Sequence, residues 1–105
     1  MTNYKKIFLT GGSGTLGREL IKISKDFEIQ FVAPTSSVCD IRSYSSVERQ
    51  LASSECDIVL HTAAVTNVKN IEKDPMVACE TNVVGTFNIV KACEKYNKKL
   101  IFIST

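Results

Sequence analysis

The chain has 105 residues, of which 44% are hydrophobic and 23% charged, and its formal net charge is +2. This is the composition of a globular domain, either one compact unit or part of a larger one. The small net charge gives no reason to expect nucleic acid or a membrane surface as a partner. No apolar run approaches the roughly 18 residues that a membrane-spanning helix requires.

Four cysteines are spread along the chain without a C-x-x-C pair, and His61 is the only histidine. Zinc ligation requires closer spacing, so we expect no metal site and predict buried or idle thiols in a reducing cytosol. The first residues lead directly into an apolar strand pattern and do not resemble a signal peptide. We therefore expect a cytoplasmic protein.

The N-terminal segment combines an apolar run, a glycine-rich stretch and an amphipathic pattern. Lys6-Ile7-Phe8-Leu9 predicts a buried strand, and the segment after the glycines is apolar at helical spacing, at Leu16, Leu20, Ile23 and Phe27. Between them lies Thr10-Gly11-Gly12-Ser13-Gly14-Thr15-Leu16-Gly17. This stretch fits both G-x-G-x-x-G and T-G-x-x-G-x-x-G.

Strand, glycine turn and helix are the context in which such a motif binds a dinucleotide. The glycines provide a tight turn, close backbone approach to the pyrophosphate, and close packing of helix on strand. A helix that begins near Ser13 and Gly14 directs free backbone N–H groups toward a phosphate. The alternative is a plain structural turn, since glycine serves any bend. No Gly-Lys-Ser or Gly-Lys-Thr follows, so a Walker loop is not expected.

The segment from 28 to 42 bears on the choice of cofactor. Residues 28–33 alternate and stop at Pro34, which predicts a second strand, and Val38-Cys39-Asp40-Ile41 predicts a short third one. An acid after the second strand normally binds the ribose hydroxyls, and none is present from Pro34 to Ser37. NADP is therefore plausible, with Arg18 and Arg42 as candidate phosphate contacts. The sequence does not decide between NADP and NAD as the cofactor, and it slightly favours NADP or the use of both.

Asp40 has two interpretations. At a strand end it could accept a hydrogen bond from an adenine amino group, whereas the simpler role is that of a turn residue. Ser45-Ser46-Val47-Glu48 then has the spacing of a capping box and predicts a helix through Leu51.

The segment 57–64 predicts a buried strand that ends in small residues, Ala63 and Ala64. Small residues at the carboxyl end of a central strand allow a flat cofactor to lie against the backbone. Close helix packing is the alternative. We interpret His61 as a hydrogen-bonded strand residue rather than a catalyst.

Asp74-Pro75 predicts the start of a long helix that reaches about Tyr96. Its expected buried stripe consists of Met76, Val83, Phe87 and Val90. Gly85 predicts a close approach to the sheet. Asn82 is interpreted either as a surface residue or as a brace for the active-site loop. Asn97 predicts a left-handed stop, and Lys99–Ile103 a last buried strand.

The predicted elements give an α/β fold of the Rossmann type. We expect a doubly wound, mostly parallel sheet of about five strands, with helices on both faces and right-handed crossovers.

Five segments together resemble the extended short-chain dehydrogenase/reductase superfamily, and within it most closely the dTDP-4-dehydrorhamnose reductase group. They cover nearly the whole chain in the right order: residues 10–17, Asp40-Ile41, residues 57–68, residues 82–86, and Ile103-Ser104-Thr105. The resemblance implies that residues 1–105 form the NAD(P)-binding Rossmann domain of a longer reductase, truncated before the substrate domain.

The resemblance also implies roles for individual residues. The pyrophosphate would lie against the glycine stretch, the adenine near Asp40 and Ile41, and the nicotinamide beside the small residues that end the strand at 57–64. The implied cofactor-binding residues are Gly11, Gly14, Thr15, Leu16, Gly17, Asp40, Ile41, Ala63, Ala64, Val65, Thr66 and Ile103. Thr105 matches the catalytic hydroxyl residue that works with a tyrosine and a lysine at the sugar carbonyl.

One departure from the family is large, because the Tyr-x-x-x-Lys pair is absent. In Tyr96-Asn97-Lys98-Lys99-Leu100, leucine stands where the lysine should be. We therefore expect the parent protein to reduce the 4-keto group of a nucleotide-activated deoxysugar, and the 105-residue chain to be inactive alone. The alternatives are a non-catalytic NAD(P)-binding regulatory subunit and a stand-alone nucleotide-binding module. The oligomeric state is left open.

Overall fold

The computed structural model describes residues 5–64 and 68–103, and its centre is a parallel sheet. The strands of the described chain are β1 (Lys5–Thr10), β2 (Ile29–Val32), β3 (Ile58–His61) and β4 (Lys99–Phe102). They lie in the order β2-β1-β3-β4, and every neighbouring pair is parallel. The predicted α/β fold with a parallel sheet is confirmed, with four described strands in place of about five.

The third strand that we predicted at Val38-Cys39-Asp40-Ile41 does not form. The N–H groups of Val38 and Cys39 both bond to the carbonyl oxygen of Thr35, which closes a turn. The buried hydroxyl of Ser46 accepts the N–H of Asp40 at 3.2 Å and donates to the carbonyl oxygen of Val38 at 3.3 Å. Because local partners satisfy these backbone groups, the segment has no need of a neighbouring strand.

The predicted helices form in the predicted order, and one short helix, at Val68–Lys73, forms where we expected only a polar connection. They are α1 (Thr15–Ile23), which continues into a 3₁₀ turn at Ser24–Phe27, α2 (Tyr44–Ser54), α3 (Val68–Lys73), α4 (Pro75–Cys79) and α5 (Thr86–Lys95). A π-helical turn, Glu80–Gly85, joins α4 to α5, so that one continuous helix runs from Pro75 to Lys95. None of the described helices is both long and apolar enough to cross a membrane.

Two of the predicted helix ends are confirmed and one is wrong. The carboxylate of Asp74 caps α4 by accepting the N–H of Val77 at 3.2 Å, and Asn97 adopts the left-handed conformation with φ of 54°. The capping box at Ser45 does not form, because the N-cap of α2 is Ser43. Glu48 instead pairs with Lys95 on α5, at 2.5 Å.

The core lies between one face of the sheet and the packed pair α2 and α5. Phe8 and Val59 are adjacent on β1 and β3 and are buried by these two helices. The helix side of this cluster consists of Val47, Leu51, Ile89, Ala92 and Cys93. Leu9, next to Phe8 on β1, points to the opposite face and is also fully buried.

Both apolar stripes that we predicted on the helices are largely exposed. Leu16 is 44% exposed, Phe27 63%, Met76 69% and Phe87 63%. The buried residues of α5 are instead Asn88, Ile89, Ala92 and Cys93. The π-helical turn explains part of this error, because its wider repeat shifts the phase of the pattern between Met76 and Phe87.

Candidate functional site

The candidate site lies where the chain reverses its direction across the sheet. From β1 the chain crosses to β2 on one side and then returns past β1 to β3 on the other. The carboxyl ends of β1 and β3 are therefore adjacent, at Thr10 and His61, while their loops diverge. This topological switch point is where open α/β sheets bind ligands. A cleft of about 940 Å³ opens there.

The cleft has three walls. The glycine loop supplies Gly11, Gly12, Ser13 and Gly14, and the end of β3 supplies Thr62, Ala63 and Ala64. The third wall follows β2 and reaches α4, and it contains Ala33, Pro34, Thr35, Ser36, Ser37, Cys39, Asp40, Ile41, Arg42, Val77 and Thr81.

Gly11 and Gly17 meet steric requirements that other residues do not. Gly11 has φ of +73°, and a Cβ there would lie 2.6 Å from Oγ1 of Thr62 and 2.8 Å from the amide nitrogen of Ala63. A Cβ on Gly17 would lie 2.1 Å from the carbonyl oxygen of Gly11. The first glycine therefore allows the loop to touch the end of β3, and the second allows α1 to pack directly beneath the loop.

Helix α1 begins inside the cleft. Gly14 is its N-cap, makes no side-chain cap and donates its own N–H to the carbonyl oxygen of Gly11 at 3.0 Å. The first intrahelical bond is that of Arg18 to Gly14, so the N–H groups of Thr15, Leu16 and Gly17 have no partner within the helix. The first turn contains no acidic residue. These amides and the helix dipole favour an anion at this point.

Asp40 lies in the cleft wall, where its carboxylate binds Arg42. Its Oδ1 accepts the backbone N–H and the Nε–H of Arg42, both at 3.0 Å, and its Oδ2 accepts Nη2–H at 2.8 Å. This hydrogen bonding from Arg42 lowers the pKa of Asp40 below its usual value. Glu80 also faces the guanidinium, with Nη1 at 3.9 Å from its Oε2. Asp40 thus forms the turn that we considered as its simpler role, at the edge of the cleft.

Of the two arginines considered as phosphate contacts, only Arg42 lines the cleft. Arg42 is in the cleft wall, but its guanidinium is already paired with Asp40. Arg18 is an exposed residue of α1 and does not line the cleft. Three hydroxyl groups stand near the end of β2 instead, and Thr35 and Ser37 are 2.9 Å apart through their side-chain oxygens.

His61 is fully buried beneath the end of β3 and is hydrogen-bonded through both ring nitrogens. Nδ1 is 2.6 Å from Oγ1 of Thr10, and Nε2 is 2.9 Å from Oγ1 of Thr86 on α5. Burial lowers the pKa of this imidazole to about 4, because the charged form is desolvated. The interpretation of His61 as a hydrogen-bonded strand residue is confirmed.

The structure brings together only part of the predicted cofactor set. Gly11, Gly14, Asp40, Ile41, Ala63 and Ala64 line the cleft. Thr15, Leu16 and Gly17 are in the first turn of α1 behind the glycine loop. Ile103 follows β4, is partly exposed and lies outside the cleft wall. Val65, Thr66 and Thr105 lie outside the described residues.

Several residues that shape the site were not predicted from the sequence. Thr81 and Val77 reach the cleft from the long helix. Asn88 is buried on α5, and its Nδ2 donates to the carbonyl oxygen of Ile41 at 2.8 Å. Thr10 and Thr86 bind His61. Spacing along the chain contains no signal for these roles, because the partners are 47, 51 and 25 residues apart.

All four cysteines are free, and three of them are buried. Burial raises the pKa of the Cys39 and Cys93 thiols, in Cys93 to about 11. No cluster of three or more metal-ligating side chains occurs within 5–64 and 68–103.

Comparison with known proteins gives the family. A protein-family profile described as the RmlD substrate binding domain matches residues 5–105, which is nearly the whole chain. The chain belongs to the RmlD family. It is thereby a member of the extended short-chain dehydrogenase/reductase superfamily, as its motifs predicted.

Individual RmlD-like relatives agree in sequence and in fold. The chain is 38% identical over 101 residues to a dTDP-4-dehydrorhamnose reductase of Mycolicibacterium smegmatis, a match that covers 96% of this chain and 30% of the relative. A crystal structure of the Bacillus anthracis dTDP-4-dehydrorhamnose reductase in complex with NADP superposes with a TM-score of 0.86 at 27% identity, over 99% of this chain and 37% of that one. The Thermus thermophilus UDP-glucose 4-epimerase in complex with NAD gives a TM-score of 0.81 at 27% identity, over 95% and 37%.

The RmlD-family chain thus spans about a third of the length of these relatives. Its structural neighbours contain NADP in one case and NAD in the other.

Proposed function

We propose that this chain is the NAD(P)-binding part of an oxidoreductase that reduces the 4-keto group of a nucleotide-activated deoxysugar. The observation that carries the proposal is the cleft at the switch point, where a glycine loop with only one side chain, that of Ser13, meets the uncapped N-terminus of α1. The similarity to dTDP-4-dehydrorhamnose reductases supports the substrate class.

Each wall of the cleft suits one part of a dinucleotide. The first-turn amides of Thr15 and Leu16, with Gly14 exposed beside them, suit the pyrophosphate. Asp40 and Ile41 would flank the adenine. Ala63 and Ala64, together with Val65, Thr66 and Ile103, would adjoin the nicotinamide. A bound nicotinamide supplies the hydride, and we assign Thr105 the role of polarising the substrate carbonyl by hydrogen bonding.

We propose that the chain binds NADP or NAD, with a slight preference for NADP or for the use of both. Residues 34–37, which follow β2, bear hydroxyls and no carboxylate, so no charge in this stretch repels a 2′-phosphate. Among the described residues that line the cleft, the only arginine is already bound by Asp40, so this wall offers no free guanidinium fork for tight 2′-phosphate recognition.

Calorimetric titration of the chain with NADPH and with NADH tests the binding. We expect weak binding of both, because this chain spans only about a third of the length of its relatives. Gly14→Val should abolish it, since the side chain would occupy the phosphate position. Lys25→Ala, in the exposed 3₁₀ turn, is the matched control and should bind as the unmodified chain does. Unchanged affinity in Gly14→Val would refute this phosphate site.

The reductase activity is proposed for the parent protein and requires a Tyr-x-x-x-Lys pair beyond Thr105. The intact mass of the native product, compared with 11.6 kDa, and the downstream reading frame provide the test. A parent protein that has the pair should oxidise NADPH in the presence of a 4-keto nucleotide sugar, while the 105-residue chain should not. A continuation without the pair would contradict the proposed catalysis and favour a regulatory subunit.

A further inference from the structure

His61 occupies the junction of four elements at the carboxyl edge of the sheet. Its ring nitrogens contact Thr10 at the end of β1 and Thr86 at the start of α5. Its ring stacks on Phe102 of β4, with centroids 5.4 Å apart and an interplanar angle of 19°. Its backbone carbonyl oxygen accepts the N–H of Ile103 at 3.2 Å.

The hydroxyl of Thr10 decides which nitrogen of His61 carries the proton. Oγ1 of Thr10 accepts the N–H of Thr62 at 3.0 Å and the N–H of Ala63 at 3.1 Å. A hydroxyl has two lone pairs and one proton. With both lone pairs occupied by these amides, its proton must point to Nδ1 of His61, only 2.6 Å away.

The ring is then fixed on both sides. Since Nδ1 accepts, the proton of the neutral imidazole resides on Nε2 and is donated to Oγ1 of Thr86. An imidazolium would place a second N–H against the saturated oxygen of Thr10. The depressed pKa of this buried ring, about 4, agrees with a neutral side chain.

This arrangement ties together the two loops that border the cleft. Thr62 donates its hydroxyl to the carbonyl oxygen of Thr10 at 2.6 Å, and its amide binds the Thr10 side chain. The close approach of Gly11 to Ala63 lies directly beyond these bonds. The two amides that Oγ1 of Thr10 binds therefore lie where the glycine loop and the end of β3 come into contact.

We propose that His61 is a positioning residue, locked as the neutral Nε2–H tautomer, which orients the Thr10 hydroxyl to hold the Thr62 and Ala63 amides and thereby fixes the width of the cleft. The effect of this arrangement on nucleotide affinity rests on the proposed function. The hydrogen bonds among His61, Thr10 and the two amides are independent of that function.

The tautomer is tested by ¹⁵N NMR of the imidazole at pH 7, without nucleotide. His61 is the only histidine, so every imidazole signal belongs to this residue. We expect the pattern of a neutral ring with the proton on Nε2. Thr10→Val keeps the branched shape and removes the hydroxyl, so a population of the Nδ1–H form should appear. An Nδ1–H ring or a protonated ring in the unmodified chain would overturn the proposal.

The effect on the loops is tested by amide hydrogen exchange. In Thr10→Val the N–H groups of Thr62 and Ala63 lose their acceptor, so their exchange should accelerate by about tenfold or more. Thr10→Ser restores the hydroxyl and should restore the protection and the tautomer. Thr86→Val is the second variant, and it should alter the Nε2 signal while the Thr62 and Ala63 amides stay protected. His61→Phe tests the role of His61 itself, because it keeps a ring but removes the Nδ1 acceptor of the Thr10 hydroxyl, and it should also accelerate exchange of both amides. Unchanged exchange of both amides in a folded His61→Phe would refute the positioning role.

Nucleotide titration of the same variants separates this inference from the proposed function. If the unmodified chain binds NADPH, Thr10→Val should weaken the affinity roughly tenfold and Thr10→Ser by much less. If the unmodified chain binds no nucleotide although the exchange and tautomer results hold, the proposed function fails and the positioning role of His61 stands.

Discussion

A methyl group on Gly17 would lie 2.1 Å from the carbonyl oxygen of Gly11, far inside van der Waals contact. The obstacle is backbone, so no side chain can rotate away to make room. A methyl group on Gly14 would have the same oxygen as its nearest neighbour, but at 3.3 Å. Gly17 is therefore required by the packing of α1 against the loop, whereas Gly14 has room for a methyl group.

We predict that Gly17→Ala lowers the free energy of unfolding by about 3 kcal/mol, at the upper end of the range for overpacking. Gly14→Ala is the matched control and should cost less than about 1 kcal/mol, as expected for alanine at an N-cap. Urea denaturation monitored by circular dichroism measures both values. Equal stabilities of the two variants would contradict the tight packing of α1 beneath the glycine loop.

His61 also gives a pH dependence with a definite sign. Its pKa is about 4 in the folded chain and about 6.5 when unfolded, so the unfolded state binds more protons between these values. The contribution of the neutral imidazole to the free energy of unfolding should be fully present above about pH 6.5. It should decrease as the pH falls toward 4, by roughly 3 kcal/mol in total.

Urea denaturation between pH 4 and pH 7.5 checks this linkage against His61→Gln, which has no titrating ring. Carboxylates such as Asp40, whose pKa is lowered by Arg42, also lose stabilising contacts near the acid end and do so in both proteins. The difference between the two curves therefore isolates His61. Parallel curves would show that the imidazole is not desolvated in the folded chain.

At the scale of elements, the long helix from Pro75 to Lys95 forms hydrogen bonds both beneath the end of β3 and beneath the cleft wall that contains Ile41. Thr86 binds His61 under the end of β3, and Asn88 donates to the carbonyl oxygen of Ile41 under the proposed adenine wall. Gly85 lies against the same residue, since a Cβ there would be 2.6 Å from Cδ1 of Ile41. Gly85 at the end of the π-helical turn and Asn88 on α5 are three positions apart and are both buried, so they lie on the same side of the helix.

Asn88→Leu should lower the free energy of unfolding by about 1–3 kcal/mol, because the buried carbonyl oxygen of Ile41 loses its donor. Phe87→Ser, one position earlier on the same helix and 63% exposed in the unmodified chain, should change stability by less than about 0.5 kcal/mol. Thermal or urea denaturation of both variants measures these changes in the free energy of unfolding. A neutral Asn88→Leu would show that Ile41 does not depend on α5.

At the scale of the molecule, the apolar surface is distributed unequally between the two faces of the sheet. One face is covered by α2 and α5. On the other face the burial of the side chains decreases from β1 to β4. Leu9 on β1 is fully buried, whereas Ile101 on β4 is 43% exposed. Among the described strands β4 is an edge, and an exposed apolar edge favours pairing with further chains.

We predict that the chain self-associates at high concentration and that Ile101→Lys reduces this association, because a charge on an edge strand opposes strand pairing. Gln30→Lys on β2, the other edge of the described sheet, is the control and should leave the association unchanged. Sedimentation velocity over a concentration series provides the measurement. A monomer at every concentration would contradict the prediction.

Sequence patterns were most reliable where the physics is local. The glycine loop, the cap at Asp74 and the left-handed stop at Asn97 depend on a few neighbouring residues, and all three form as predicted. The third strand at residues 38–41 failed because Ser46, several residues later, bonds to that backbone. The helical stripes failed because periodicity identifies an apolar side of a helix but not the surface that covers it.

The sequence by itself determined the class of the fold, the strand–glycine–helix unit and the family, because these depend on residue types at fixed spacing. Only the tertiary structure decided which side chains meet across the sheet, among them Thr10 with His61 and Asn88 with Ile41. Such contacts join residues about 50 positions apart, and strand register and helix phase bring them together. Both are settled by packing of the whole chain, which no local pattern encodes.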